Sequence, residues 1–257
     1  MTTLQALIFD VDGTLADTER DGHRPAFNTA FAEAGLPWHW DEARYSELLA
    51  VTGGKERMRY YCEQDDPEFL ARPDADERIK ALHAAKTTHY LARVGQGAIP
   101  LRPGVARLIR EARAADLRLA IATTTTPENV GSLLRASLAP NAESWFDVIG
   151  AGDIVPMKKP APDIYQWVLD KLGLPAAACL AVEDSANGLK ASLAAGLPTL
   201  ITENEYTRGE DFSGALAVLS DLGEPGHPFV LHHGAAPRQA YVDVGLLRRW
   251  HQAANPD

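Results

Sequence analysis

Asp10 and Asp12 stand two apart at the end of an apolar run, Ala6-Leu7-Ile8-Phe9, and Gly13-Thr14 follows at once. Side chains of an extended segment alternate faces, so acids two apart point the same way. Two carboxylates on one side repel each other, and removing either from water is costly. A divalent cation would offset both effects. Three more chemical groupings lie at the ends of apolar runs. Thr123, Thr124, Thr125 and Thr126 follow Leu117–Ala122, and Lys158 and Lys159 precede Pro160 in VPMKKPAPD. Glu183 and Asp184 follow Cys179–Val182.

Brought together, these residues are four carboxylates, several hydroxyls and one or two ammonium groups, an inventory that suits a phosphoryl group. Oxygen-only ligands with open positions select magnesium, which keeps waters and accepts a phosphate oxygen. A carboxylate can attack phosphorus to give an aspartyl-phosphate. A lysine and a hydroxyl can cradle the equatorial oxygens as charge redistributes. A second carboxylate can protonate the leaving oxygen and then accept a proton from the attacking water. On this reading Asp10 is nucleophile and metal ligand, and Asp12 is the acid and base. Each stretch alone has an ordinary explanation as a turn, a helix cap or a surface loop. Their joint occurrence, each at the end of a strand, outweighs those explanations.

The elements that must position these groups are legible as periodicity. Strand-length apolar runs occur at Leu4–Phe9, Leu117–Ala122, Phe146–Ile149, Cys179–Val182, Thr199–Ile201 and Ala215–Leu219. Helical stripes separate most of them: Val105, Leu108, Ile109 and Ala112 after Pro103, then Val130, Leu133, Leu134 and Leu138. Ile164, Trp167, Val168 and Leu172 form a third stripe, in a helix starting near Pro160 or Ala161 and ended by Gly173. Leu189, Leu193 and Ala194 form a fourth before Gly196. Alternating helices and continuously apolar strands predict an α/β fold, a doubly wound parallel sheet that binds ligands at its C-terminal strand ends. The segment 16–96 interrupts this pattern with helical stripes alone, beginning with Phe27, Ala30, Phe31 and Ala34. It is expected to be an inserted all-helical cap domain, with residues 1–15 plus 97–257 forming the catalytic core. The tail from about 203 is rich in Gly, Pro and His and less periodic.

A net charge of −10 argues against nucleic acid and anionic membranes as partners. Two cysteines, Cys62 and Cys179, are too few for a disulfide framework. The N-terminus does not read as a signal peptide, and no apolar stretch is long enough to span a bilayer. A cytoplasmic protein is expected.

The four stretches resemble the four signatures of the haloacid dehalogenase superfamily, in its phosphatase and phosphomutase branch. The resemblance spans residues 5 to about 202 and implies a Rossmann-like core. Asp10 and Asp12 match its nucleophile and acid/base, Thr123 the hydroxyl of the second signature, and Lys159 the lysine of the third. Glu183 and Asp184 match the acidic pair that holds Mg²⁺ together with the Asp10 carboxylate and the Asp12 backbone carbonyl. The insertion resembles the helical cap of the β-phosphoglucomutase-like subgroup. That implies substrate contacts from Gly54, Lys55 and Arg57 in the GGKER loop, and from Lys86, with Asp17 and His23 on the segment entering the cap. His23 is one residue later than the matching histidine. Thr124 and Thr125 are grouped with Thr123 as phosphate-contacting residues. AFNTAFAEAGLPWHW, TGGKERM and SDLGEPGHPFVLHHG resemble phosphatases of carbon-fixing bacteria that act on xylulose-1,5-bisphosphate, an inhibitor of Rubisco. The implied partner is a small phosphorylated sugar, and a monomer is expected. Alternatives are a sugar phosphomutase, a phosphoglycolate phosphatase and a phospho-acceptor signalling module. The large insertion and Asp12 speak against the module. A metal-free dehalogenase lacks the second aspartate.

Overall fold

A computed structural model describes residues 3–237 and 239–255. The strands, in chain order, are β1 (Ala6–Phe9), β2 (Arg118–Ala122), β3 (Val148–Gly150), β4 (Cys179–Glu183), β5 (Thr199–Thr202), β6 (Ala217–Leu219) and β7 (Leu231–Gly234). The helices are α1 (Arg24–Glu33), α2 (Glu42–Leu48), α3 (Gly54–Asp65), α4 (Pro67–Leu70), α5 (Ala75–Gly95), α6 (Val105–Ala114), α7 (Pro127–Ser137), α8 (Asp163–Leu172), α9 (Ala186–Ala194) and α10 (Val244–Ala254). The chain divides into two compact units, Met1–Asp17 with Pro100–Asp257, and Thr18–Ile99. The first crossing falls after Asp17 because Ala16 is bridged to Leu101 and the Arg102 amide donates to the Leu15 carbonyl.

The first unit is built on one sheet in the order β3-β2-β1-β4-β5-β6-β7. Every neighbouring pair is parallel except β6 and β7. The chain order reverses at β1, which pairs with β2 on one side and β4 on the other, in register Phe9 with Ile121 and Val182. This is the switch point at which open α/β sheets hold ligands. Ala6, Ile8, Ala120, Ala122, Cys179 and Ala181 share one core cluster with Ile164, Tyr165 and Val168 of α8 and Ala191 of α9. Leu7, Phe9, Leu119, Ile121, Leu180 and Val182 alternate with them and are buried too, so the sheet is covered on both faces, as its continuously apolar strands require.

Two local expectations differ. The third helix begins at Asp163 and not at Pro160 or Ala161: Pro160 and Pro162 delay it, because proline disfavours helical geometry in the residue before it. The tail is also more ordered than its composition suggests. Leu231–Gly234 adds an antiparallel edge strand, and Val244–Ala254 forms a helix capped by Asp243, whose side chain accepts from the Leu246 amide. Val244, Leu246, Leu247, Trp250 and His251 are its buried residues.

The second unit is wholly helical, opening with a π-helical turn at Glu19–His23 that runs into α1. Its core is aromatic: Phe27 and Phe31 pack on Trp40, and Trp38 packs on Phe31 and Phe69, with ring centroids 4.7–5.2 Å apart. Among the described residues, no helix is long and apolar enough to cross a membrane.

Candidate active site

Asp10 follows β1 directly, Thr123 follows β2, and Glu183 ends β4 with Asp184 next, so three adjacent strands deliver their groups to one end of the sheet. Lys159, in the loop before α8, joins them. Its buried ammonium donates to Asp10 Oδ1 at 2.6 Å, to Glu183 Oε1 at 2.5 Å and to the Ala122 carbonyl at 2.9 Å. Glu183 is further engaged: Tyr165 donates its hydroxyl to Oε1 at 2.7 Å, and the Asp184 amide donates to Oε2 at 3.1 Å. Asp184 is held from outside the motifs. Asn204 Nδ2 donates to its Oδ2 at 2.7 Å and Thr14 Oγ1 to its Oδ1 at 3.3 Å. One oxygen each of Asp10, Glu183 and Asp184 lies within 4.8 Å of the others, and all three residues are buried.

Two glycines make this crowding feasible. Gly13 has φ +86°, and a Cβ there would lie 2.2 Å from Asp184 Oδ2. A Cβ on Gly188, in the first turn of α9, would meet the Glu183 carboxyl at 2.0 Å. Only a residue without a side chain fits either place.

The electrostatics follow from burying three carboxylates with one ammonium. Burial pushes the Asp10 pKa up; Lys159 opposes this, Glu183 and Asp12 add to it, and the result is about 8. Asp184 is raised well above the usual carboxylate range by burial, then by Glu183 and Asp10. Burial works against the charge on Lys159, but Asp10 and Glu183 outweigh it and hold the ammonium above its ordinary pKa. Burial and Glu183 raise the Tyr165 hydroxyl, so it stays a donor. The cluster thus carries more buried acid than its lysine neutralises. Its donors are all oxygen, and this is the chemistry a hard divalent cation such as Mg²⁺ satisfies.

The other motif residues divide between the two units. Asp12 is half-buried just beyond Asp10, bridged to Ala16, and does not belong to the three-carboxylate group. Thr123 is buried; its amide donates to the Gly150 carbonyl at 2.9 Å and its hydroxyl accepts from the Thr125 amide at 3.3 Å. Thr125 accepts from Asn129 Nδ2, Thr124 is half-buried, and Thr126 caps α7. Asp17 belongs to the first unit, its Oδ1 3.3 Å from Arg102 Nε. Lys158 pairs with Asp153.

His23, Gly54, Lys55, Arg57 and Lys86 lie in the second unit. There Lys86 Nζ sits 2.7 Å from His23 Nδ1, over the rings of Phe27 and Tyr90, and His23 stacks on Tyr90. Arg57 donates to the Tyr45 hydroxyl at 2.8 Å and lies 3.5 Å from Glu19, to which Tyr45 in turn donates. Both cations are almost fully buried. Gly54 and Lys55 begin α3, half-buried. Sequence reasoning missed Tyr165, Asn204 and Arg102. For Asn204 a signal existed, since it lies two residues beyond β5, at another strand end.

A family model described as haloacid dehalogenase-like hydrolase matches residues 4–196, and the chain belongs to that family of hydrolases. Within it, the chain is 54% identical to the plasmid protein CbbY of Cupriavidus necator over 249 residues, 96% of this chain and 97% of that protein. The crystal structure of CbbY from Rhodobacter sphaeroides in complex with phosphate matches with a TM-score of 0.78 at 45% identity, covering 87% of this chain and 96% of that one. A structure of a mutant of the same protein in complex with xylulose-(1,5)bisphosphate matches equally well.

Proposed function

We propose that this hydrolase is a Mg²⁺-dependent phosphatase that removes one phosphate from a small sugar bisphosphate through an aspartyl-phosphate on Asp10, with xylulose-1,5-bisphosphate as substrate. The observation that carries the reading is the buried cluster in which Lys159 bridges Asp10 and Glu183 beside Asp184. The named sugar is supported by the similarity to CbbY, a relative of which is bound to it.

Asp10 and Asp184, with the Asp12 backbone carbonyl, would hold the cation, while Glu183, already accepting from Lys159, Tyr165 and the Asp184 amide, orients its neighbours. When bound, Mg²⁺ supplies positive charge that favours ionised carboxylates and stabilises charge on the phosphoryl oxygens. In the first step an Asp10 carboxylate oxygen bonds to phosphorus as the bond from phosphorus to the sugar oxygen breaks. The Asp12 carboxyl gives its proton to that departing oxygen. In the second step a water loses its proton to Asp12 as its oxygen bonds to phosphorus, and the Asp10–phosphorus bond breaks to release inorganic phosphate. Lys159 and Thr123, with Thr124 and Thr125, hold the equatorial oxygens. Lys55, Arg57 and Lys86, with Gly54, His23 and Asp17, would recognise the remainder of the substrate and its second phosphate.

The test is phosphate release from xylulose-1,5-bisphosphate, hexose phosphates and phosphoglycolate, with and without chelator. Release greatest from the pentulose bisphosphate and abolished by chelation is expected. Release mainly from phosphoglycolate would keep the chemistry and replace the substrate, whereas isomerisation of a sugar 1-phosphate with a bisphosphate primer would mark a mutase.

A further inference from the structure

Arg102 matches no motif, yet the residue is only 8% exposed and directs most of its donors at backbone carbonyls, while its Nε faces Asp17 Oδ1 at 3.3 Å. Nη1 donates to the carbonyls of Gly13 and, at 2.9 Å, Thr202, and reaches Thr202 Oγ1 at 3.3 Å. Nη2 donates to the carbonyls of Glu203 at 2.6 Å and Ser220 at 2.7 Å. Its own amide donates to the Leu15 carbonyl at 2.8 Å. One residue therefore stitches the turn after β1 to the chain leaving β5 and the chain leaving β6.

The turn it grips carries Asp12. Gly13 stands at φ +86°, its amide donates to the Ala16 carbonyl, and its carbonyl is shared between Arg102 and the Asn204 side chain, 3.5 Å away. Asp12 itself is bridged to Ala16, the residue paired with Leu101. A tight turn held at its carbonyl by a rigid planar fork has little freedom to swing the preceding side chain. Lysine offers a single point of charge on a flexible stem and cannot span carbonyls on three separate segments.

We infer that Arg102 is a positioning residue: by clamping the Gly13 carbonyl it fixes where the Asp12 carboxyl stands when the sugar oxygen departs. The inference rests on the proposed role of Asp12 as proton donor. A displaced donor slows the departure of an alkoxide, which needs the proton, and hardly touches a leaving group that departs as a stable anion. A residue that merely supports the fold would slow both alike.

The test is kcat/KM of wild type, R102K and D12N, each with Mg²⁺, on a sugar phosphate the enzyme hydrolyses and on p-nitrophenyl phosphate. This parameter covers events up to cleavage of the ester bond and leaves out hydrolysis of the phospho-enzyme. R102K is expected to lose at least about tenfold on the sugar ester and less than about threefold on the aryl ester, and D12N to show the same selectivity with a larger loss, about 10²-fold or more. Selective loss in D12N but equal loss on both esters in R102K would overturn the role of Arg102 and leave the acid intact. Equal loss on both esters in D12N would overturn the acid itself, and the Arg102 inference with it. Should R102K not fold, T202V, which removes one acceptor and keeps the backbone, serves in its place. A selective loss of about twofold supports the clamp, and an unchanged ratio of the two rates overturns it.

Discussion

The two units bury charge in opposite senses. At the strand ends of the sheet, Asp10, Glu183 and Asp184 surround one ammonium, Lys159, and two of the three acids are pushed far from their usual pKa. In the helical unit two cations, Arg57 and Lys86, are almost fully buried, Arg57 beside Glu19 and Tyr45 and Lys86 beside His23, Phe27 and Tyr90. An uncompensated buried charge is costly, and a protein retains one chiefly where something else neutralises it in use. The sheet unit has the excess of acid that a cation would neutralise, whereas the helical unit buries two cations of the kind that bind anions. The proposed bisphosphate substrate carries groups that each of these chemistries can bind.

This contrast can be broken from the sheet side first. Asp10→Asn is expected to lower kcat by at least about 10⁴-fold with the fold retained, as followed by phosphate release and circular dichroism, because the nucleophile is removed outright. Lys159→Met leaves Asp10 and Glu183 without their shared cation. We expect kcat to fall by about 10²–10³ and stability by about 3–5 kcal/mol, read by urea unfolding in the absence of metal. Asp184→Asn relieves repulsion in the metal-free protein while removing a ligand. The Mg²⁺ concentration giving half-maximal activity should rise about 10²-fold, while the metal-free melting temperature should hold or rise. A metal-free melting temperature that falls by several degrees would show that the acid excess is not a source of strain.

The helical side is sharpened by Lys86→Met and Arg57→Lys. Each should raise KM for a sugar bisphosphate about tenfold and leave p-nitrophenyl phosphate within about twofold, since only the former carries a second phosphate to lose a charge-assisted hydrogen bond. The smallest effect lies away from both regions. His251, buried on α10, donates its Nε2–H to the Ala177 carbonyl at 2.8 Å, and burial lowers its pKa. A depressed histidine stabilises the fold above its unfolded pKa, and that stability is lost as pH falls through about 6.5 toward the folded value. His251→Gln should therefore flatten the decline of melting temperature below pH 6.5, by about two degrees at most.

How much of this was readable from the chain depended on the range of the interaction. β1, β2 and β4 were legible because each is apolar on both faces, and the acids and threonines of the motifs follow directly at their ends, whereas Lys159 stands in the longer loop between β3 and α8. The family followed from those motifs together. Arg102 was not legible: its acceptors, Gly13, Thr202, Glu203 and Ser220, lie roughly a hundred residues away along the chain and are backbone atoms, which leave no trace in residue type. Tyr165 reads as one more apolar position of α8, and its hydroxyl matters only because β4 brings Glu183 beneath it. In the tail, β7 is short and three of its residues are exposed, so it shows no alternation, whereas α10 carries a usable stripe and an Asp243 cap that the surrounding Gly and Pro obscured.

The central claim is covalent capture of the phosphoryl group by Asp10. Rapid acid quench of the wild-type enzyme with Mg²⁺ and phosphorus-labelled substrate, followed by peptide mapping, tests it most directly. We expect label on the peptide containing Asp10, formed and lost at least as fast as turnover and missing in Asp10→Asn. Turnover at the wild-type rate with no label on that peptide at any time would contradict it.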